Sequence, residues 1–94
     1  MKLKFSGHAM DRMFARSIRP EDVRTVIDHG EPIADYPDDR PFPSRLVLAF
    51  VDGRAIHVVF GYDSATETAH VVTAYIPDSA LWESDFKTRK RKPR

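Results

Sequence analysis

The 94-residue chain contains no cysteine. That absence excludes a disulfide framework, a thiolate zinc site and a cysteine nucleophile, and it fits a reducing cytoplasm, the expected compartment. No apolar run approaches a membrane span, and the opening Met1-Lys-Leu-Lys-Phe-Ser6 is not followed by the apolar stretch of a secretory signal. A soluble protein without membrane contact is the expectation. No internal repeat and no interior linker divides the chain, so its 41% apolar residues are expected to form one core. Acidic residues are missing from the last eight positions, where Lys87, Arg89, Lys90, Arg91, Lys92 and Arg94 gather. The preceding 86 residues then hold nine Lys/Arg against fourteen Asp/Glu, a balance of −5. The sequence divides on this ground into a domain over 1–86 and a basic tail over 87–94, with the tail suited to phosphates or an acidic partner.

Patterning supplies the elements. Leu3 and Phe5 alternate with lysines, as in a short strand. Ser6 is placed to cap a helix carrying Ala9, Met10, Met13 and Phe14 at helical spacing. Pro20 followed by Glu21 and Asp22 marks a second helix start, since proline suits the first turn and acids complement the dipole. Val23, Val26 and Ile27 give it an apolar stripe, and Gly30 stands where a C′ glycine ends a helix. Residues 31–36, 45–51, 54–62 and 69–76 read as strands, the middle two joined by the favoured hairpin turn Asp52-Gly53. Three prolines in residues 37–43 make an extended loop. Pro77-Asp78 reads as the start of a last helix that docks Leu81, Trp82 and Phe86. The order β-α-α-β-β-β-β-α gives an α+β fold with two N-terminal helices packed on an antiparallel sheet.

The hairpin turn fixes a register: Val51 pairs with Arg54, and Leu48 with His57. One face then carries Leu46, Leu48, Phe50, Ala55, His57 and Val59, the other Val47, Ala49, Ile56, Val58 and Phe60. Both faces are apolar and both need cover. The early helices bury one. The segment 82–86, a second subunit or a partner segment is expected to bury the other. The register of the last strand stays open. With a six-residue loop, Tyr62 pairs with Ala69 and His57 faces Ala74, with Thr73 and Tyr75 on the other side. A five-residue loop, or a bulge near Gly61, puts Thr73 opposite His57 and brings Tyr75 alongside.

Several short motifs together resemble a bacterial family of small domains of unknown function. They are Ser6-Gly-His8-Ala9-Met-Asp-Arg12-Met13, Arg16-Ser-Ile-Arg-Pro-Glu-Asp22-Val23, Gly30-Glu31, Tyr36-Pro-Asp-Asp, Pro43-Ser44, Ile56-His57-Val58-Val59, Thr73-Ala-Tyr75-Ile-Pro77 and Trp82-Glu-Ser-Asp-Phe86. That family is similar to the RelE/ParE toxin superfamily. The resemblance implies a β-α-α fold closed by an antiparallel sheet, and a toxin–antitoxin setting with a zinc-finger antitoxin-like protein as partner. It implies either metal-independent cleavage of RNA or, as in ParE-like relatives, poisoning of gyrase without catalysis. The acidic body departs from the basic body usual in RelE-like nucleases.

Cleaving RNA without a metal needs a base for the 2′-hydroxyl, cations for the phosphorane and an acid for the leaving oxygen. The candidates are His57, Tyr75 and His8 as acid–base groups. Arg12, Arg16, Lys87, Arg89, Lys90 and Arg91 are the phosphate or RNA contacts. His8, Arg12 and Arg16 share one helical stripe, at i, i+4 and i+8. A stripe of ionisable groups in a small domain is more often structural, pairing with a neighbouring acid. His57, in the middle of an apolar strand, has to be hydrogen-bonded or open to a cleft. No His-x-x-x-His pair or carboxylate-rich loop is present, so neither metal nor cofactor is expected. The alternative to a nuclease is a non-enzymatic interaction module, and it gains if His57, Arg12 and Tyr75 share no cleft.

Overall fold

The computed structural model describes residues 1–91; Lys92 and Arg94, counted above with the basic tail, lie outside the described residues. Strand β1 (Lys2–Phe5) leads into helices α1 (Gly7–Ala15) and α2 (Pro20–His29), and β2 (Glu31–Tyr36), β3 (Ser44–Val51), β4 (Arg54–Asp63) and β5 (Thr68–Tyr75) follow. They form one five-stranded sheet in the order β1-β5-β4-β3-β2. The β2–β3, β3–β4 and β4–β5 pairs are antiparallel, but β1 runs parallel to β5. The α+β class therefore holds, with a correction: the sheet is mixed. The first strand reaches its place only after two helices and three further strands have intervened, so the hairpin rule that makes neighbours antiparallel does not govern it.

The helices form where local chemistry starts them. The Ser6 hydroxyl accepts from the Ala9 N–H at 3.0 Å and caps α1. In α2 the acid does more than complement a dipole. Asp22 is 3% exposed, accepts the Arg19 backbone N–H at 2.9 Å, and receives the Arg19 guanidinium at 3.2 Å. Hydrogen bonding from the Arg19 backbone holds this carboxyl below its ordinary pKa, against the opposing effect of burial. Arg54, from the far end of the β3–β4 turn, adds a guanidinium at 3.8 Å from Asp22 and donates to the carbonyls of Arg16 and Ser17. One arginine thus ties the corner between the helices to the sheet.

Gly30 ends α2, though not in the left-handed conformation of a C′ glycine, since its φ is −74°. Its need for glycine is steric. A Cβ would collide with the Val26 carbonyl and press within 3.0 Å of the Leu48 carbonyl. The turn into β2 can then be direct. Asp52 and Gly53 both take positive φ, 52° and 80°, as a two-residue hairpin requires, and Val51 pairs with Arg54 as read from sequence.

The core lies between the helices and one sheet face. Ala9, Met13, Val23 and Val26 pack there against Val47, Ile56, Val58 and Val71. Of the apolar stripe on α1, only Ala9 and Met13 are buried; Met10 is 58% and Phe14 90% exposed. The last helix does not form. Residues 77–91 make a looped strap across the helix-free face, with Trp82 bridged to Arg89 and Leu81 accepting from the Lys90 N–H. Asp78 nucleates a single turn, and Asp85 then turns the chain by accepting from the N–H groups of Lys87 and Thr88. Such side-chain-to-backbone bonds compete with helix propagation, and this helix was too short to resist them.

Candidate functional site

The site is built on the sheet face opposite the helices. Side chains alternate along β4, so Ile56 and Val58 enter the core while His57 projects the other way. Its partner on β5 depends on an irregularity. Tyr62 pairs with Ala69 and Phe60 with Val71, but Val59 pairs with Thr73 and His57 with Tyr75. The extra residue is Val72, in β5. The pairing near the loop is that of the six-residue alternative, and the bulge lies in the strand opposite to the one expected. It resets the register by one residue and brings Tyr75 onto the His57 face.

His57 is 0% exposed, yet both ring nitrogens are satisfied. Nε2 lies 2.7 Å from the Phe86 carbonyl and Nδ1 lies 3.1 Å from the Tyr75 hydroxyl. A carbonyl cannot donate, so Nε2 carries the proton and Nδ1 accepts from Tyr75. Trp82 closes the site edge-on, its ring centroid 4.6 Å from the imidazole, and Phe86 packs its edge on Phe50. Phe86 has a φ of 57°, the turn that directs its carbonyl inward. Burial holds the imidazole below its ordinary pKa, outweighing the raising effect of the Phe86 carbonyl. Burial likewise raises Tyr75, with Tyr36 adding to the shift and Arg89 opposing it. The result is a neutral imidazole in a neutral pocket, sealed by the strap.

Cations rim this cover. The Arg89 guanidinium lies 5.3 Å from the centroid of the Trp82 ring, in cation–π contact. Lys87 reaches Glu31 on β2 at 2.8 Å. Lys90 and Arg91 follow, both exposed. Lys87, Arg89, Lys90 and Arg91 therefore lie on the same side of the sheet as His57 and Tyr75. His8, Arg12 and Arg16 do not. They are exposed on or at the end of α1, which packs on the other face, and the five-stranded sheet separates them from the imidazole. The expected union of His57 with the arginine stripe is absent.

Sequence reasoning did not assign the Phe86 carbonyl, Trp82 or Arg54 to these roles. A signal was present for two of them: a histidine in an apolar strand demands two partners, and the segment 82–86 was already expected over the face that bears His57, though as a helix. Among the described residues no group of three or more His, Asp or Glu side chains is placed to hold a metal, and no helix is long and apolar enough to cross a membrane.

The family model of a domain of unknown function, DUF4258, matches residues 5–76. The strap lies beyond the matched stretch. No curated protein and no solved structure matches the chain.

Proposed function

The chain belongs to the DUF4258 family, and we propose that it works as a non-enzymatic interaction module of the RelE/ParE toxin type. The observation that carries this is the state of His57. A general acid or base has to reach the proton it moves, within hydrogen-bond distance of the substrate. Here the imidazole is fully buried, with one nitrogen spent on the Phe86 carbonyl and the other on Tyr75. Its chemistry is that of a keystone that locks a strap to a sheet. The placement of Arg12 and Arg16 behind the sheet supports the same reading, since neither can clamp a phosphate presented to His57. The surplus of acid in residues 1–86 also supports it, because polyanion cleavage favours a basic body.

A second reading is favoured by one observation. His57, Tyr75 and Arg89 form an acid–base pair with a cation beside it, on the face that also bears the other strap cations. With the strap shifted so that Phe86 frees the imidazole while Arg89 stays beside Tyr75, this set has the chemistry of a metal-independent endoribonuclease. Incubating the purified protein with RNA in EDTA separates the two. The interaction-module reading expects intact RNA from the wild type. Cleavage that is lost in Tyr75→Phe, a variant that keeps the ring and its packing, would overturn it in favour of the nuclease. An antitoxin-like partner belongs to either reading, and co-purification from a bacterial host tests for it.

A further inference from the structure

Away from the strap, the helix-free face ends in two adjoining cavities of about 350 and 220 Å³, which share His70 and Val72 in their walls. Lys4 of β1 is the register neighbour of His70 and stands on the same face, with Lys2 next along the strand. The loop over 37–43 folds back and stacks the Phe42 ring on the His70 imidazole, with centroids 4.9 Å apart and planes 18° from parallel. Arg40 completes the outer wall. Lys2, Lys4 and Arg40 make no ion pair among the described residues, in contrast to Arg19, Arg45 and Lys87. The one carboxylate in the walls, Asp39, accepts from the Ser44 hydroxyl.

The groove therefore offers unpaired cations around a stack of two flat rings. Phosphates are the natural partners of the first and a planar base of the second. A base inside a duplex is already stacked on both sides, so only an unpaired strand presents both at once. We propose that this groove binds single-stranded nucleic acid, with a base against Phe42 and His70 and the backbone at Lys4 and Arg40. The proposal rests on the interaction-module reading and names its partner. The strand then runs along β5 toward the strap, roughly 15 Å away at the usual rise per strand residue, where Arg89, Lys90 and Arg91 extend the cationic track.

The test is anisotropy of fluorescein-labelled oligouridylate and oligothymidylate titrated with the full chain over a range of salt. The double variant Lys4→Glu, Arg40→Glu should bind at least about tenfold more weakly, and His70→Ala about tenfold more weakly through lost stacking. Lys4→Ala should flatten the dependence of log K on log salt by about 0.7 for its one phosphate. Lys4→Glu alone should already weaken binding, whereas Arg24→Glu, an equal change of charge on α2, should leave it unaltered. These positions are exposed or half-exposed, and circular dichroism confirms that each variant is folded. RNA bound above DNA, or both bound alike, supports the groove and fixes its choice of sugar. Binding absent in the wild type, unchanged in the double variant, or lost equally in Arg24→Glu overturns it. RNA recovered from the titration is run on a gel. Fragments appearing with groove-dependent binding would sink the non-enzymatic reading while upholding the groove.

Discussion

Tyr75 donates its hydroxyl hydrogen to Nδ1 of His57 from the adjacent strand, 3.1 Å away, and this fixes the imidazole tautomer that holds the strap. Removing the hydroxyl leaves a buried nitrogen without a partner. Tyr75→Phe is expected to lower unfolding free energy by about 1–3 kcal/mol, the cost of an unsatisfied buried polar atom. Urea denaturation measures it. A loss below a few tenths of a kcal/mol would mean that Nδ1 has no need of Tyr75.

Acidification should release the strap before it unfolds the domain. The His57 imidazole is held below its ordinary pKa in the fold, so the unfolded chain binds the proton more readily. Its contribution is complete above about pH 6.5, the unperturbed value, and is lost as pH falls through and below that value. The groups packed on the ring do not reverse this: Trp82 and the Phe86 carbonyl carry no charge, and burial raises Tyr75 so that it stays protonated. Trp82 is the one tryptophan in the chain and lies on the imidazole. Its emission should shift to the red between about pH 6.5 and 4 while far-ultraviolet circular dichroism stays constant. Simultaneous loss of both signals would refute a separable strap.

The second acid window belongs to Asp22. Its carboxyl is held below its ordinary value, so its contribution is present above about pH 4 and is lost as pH falls further. Asp22→Ala removes the α2 cap and strips Arg54 of its carboxylate. A destabilisation of about 2 kcal/mol is expected, at the upper end for a capping residue. An unchanged urea midpoint would show that Arg54 holds the helix corner through the carbonyls of Arg16 and Ser17 alone.

Gly30→Ala should cost more than the helix preference of alanine would suggest. The backbone conformation suits any residue, but the added methyl meets the Val26 carbonyl and crowds that of Leu48. A loss of about 1–3 kcal/mol, typical of overpacking, is expected in thermal unfolding. A neutral or stabilising substitution would mean that the α2–β2 junction yields easily.

The elements legible in the sequence were those with local causes. Ser6, Pro20 and the Asp52-Gly53 turn each act within a few residues, and each was placed correctly. The mixed sheet was not legible, because nothing within residues 2–5 encodes which distant strand they will join. The His57 site was half legible. Its need for partners or for a cleft follows from an imidazole within Ile56-His57-Val58-Val59, while its complete burial does not. Its pairing with Tyr75 depends on the bulge at Val72, a valine in a valine-rich strand with no glycine to mark it. The strap was misread because Trp82 and Phe86 at a spacing of four suit a helix and also suit a loop anchored at two points. Hydrogen bonds at Asp85 decided between them.

The parallel pairing of β1 with β5 bears on the order of assembly. Lys2 lies beside Thr68, so among the described residues β1 finds its one sheet neighbour in β5, the strand farthest from it along the chain. On a ribosome, β1 has to wait until nearly the whole domain has emerged, with Leu3 and Phe5 uncovered in the meantime. Closing so long a loop also slows folding in solution, because the entropy of bringing the ends together is spent before the contact repays it. The hairpin β3–β4 can form early and alone, and β1 arrives as the final stave. A chain shortened at its start should therefore keep the β2–β5 meander while exposing the flank of β5 as a free edge, open to a strand from another molecule.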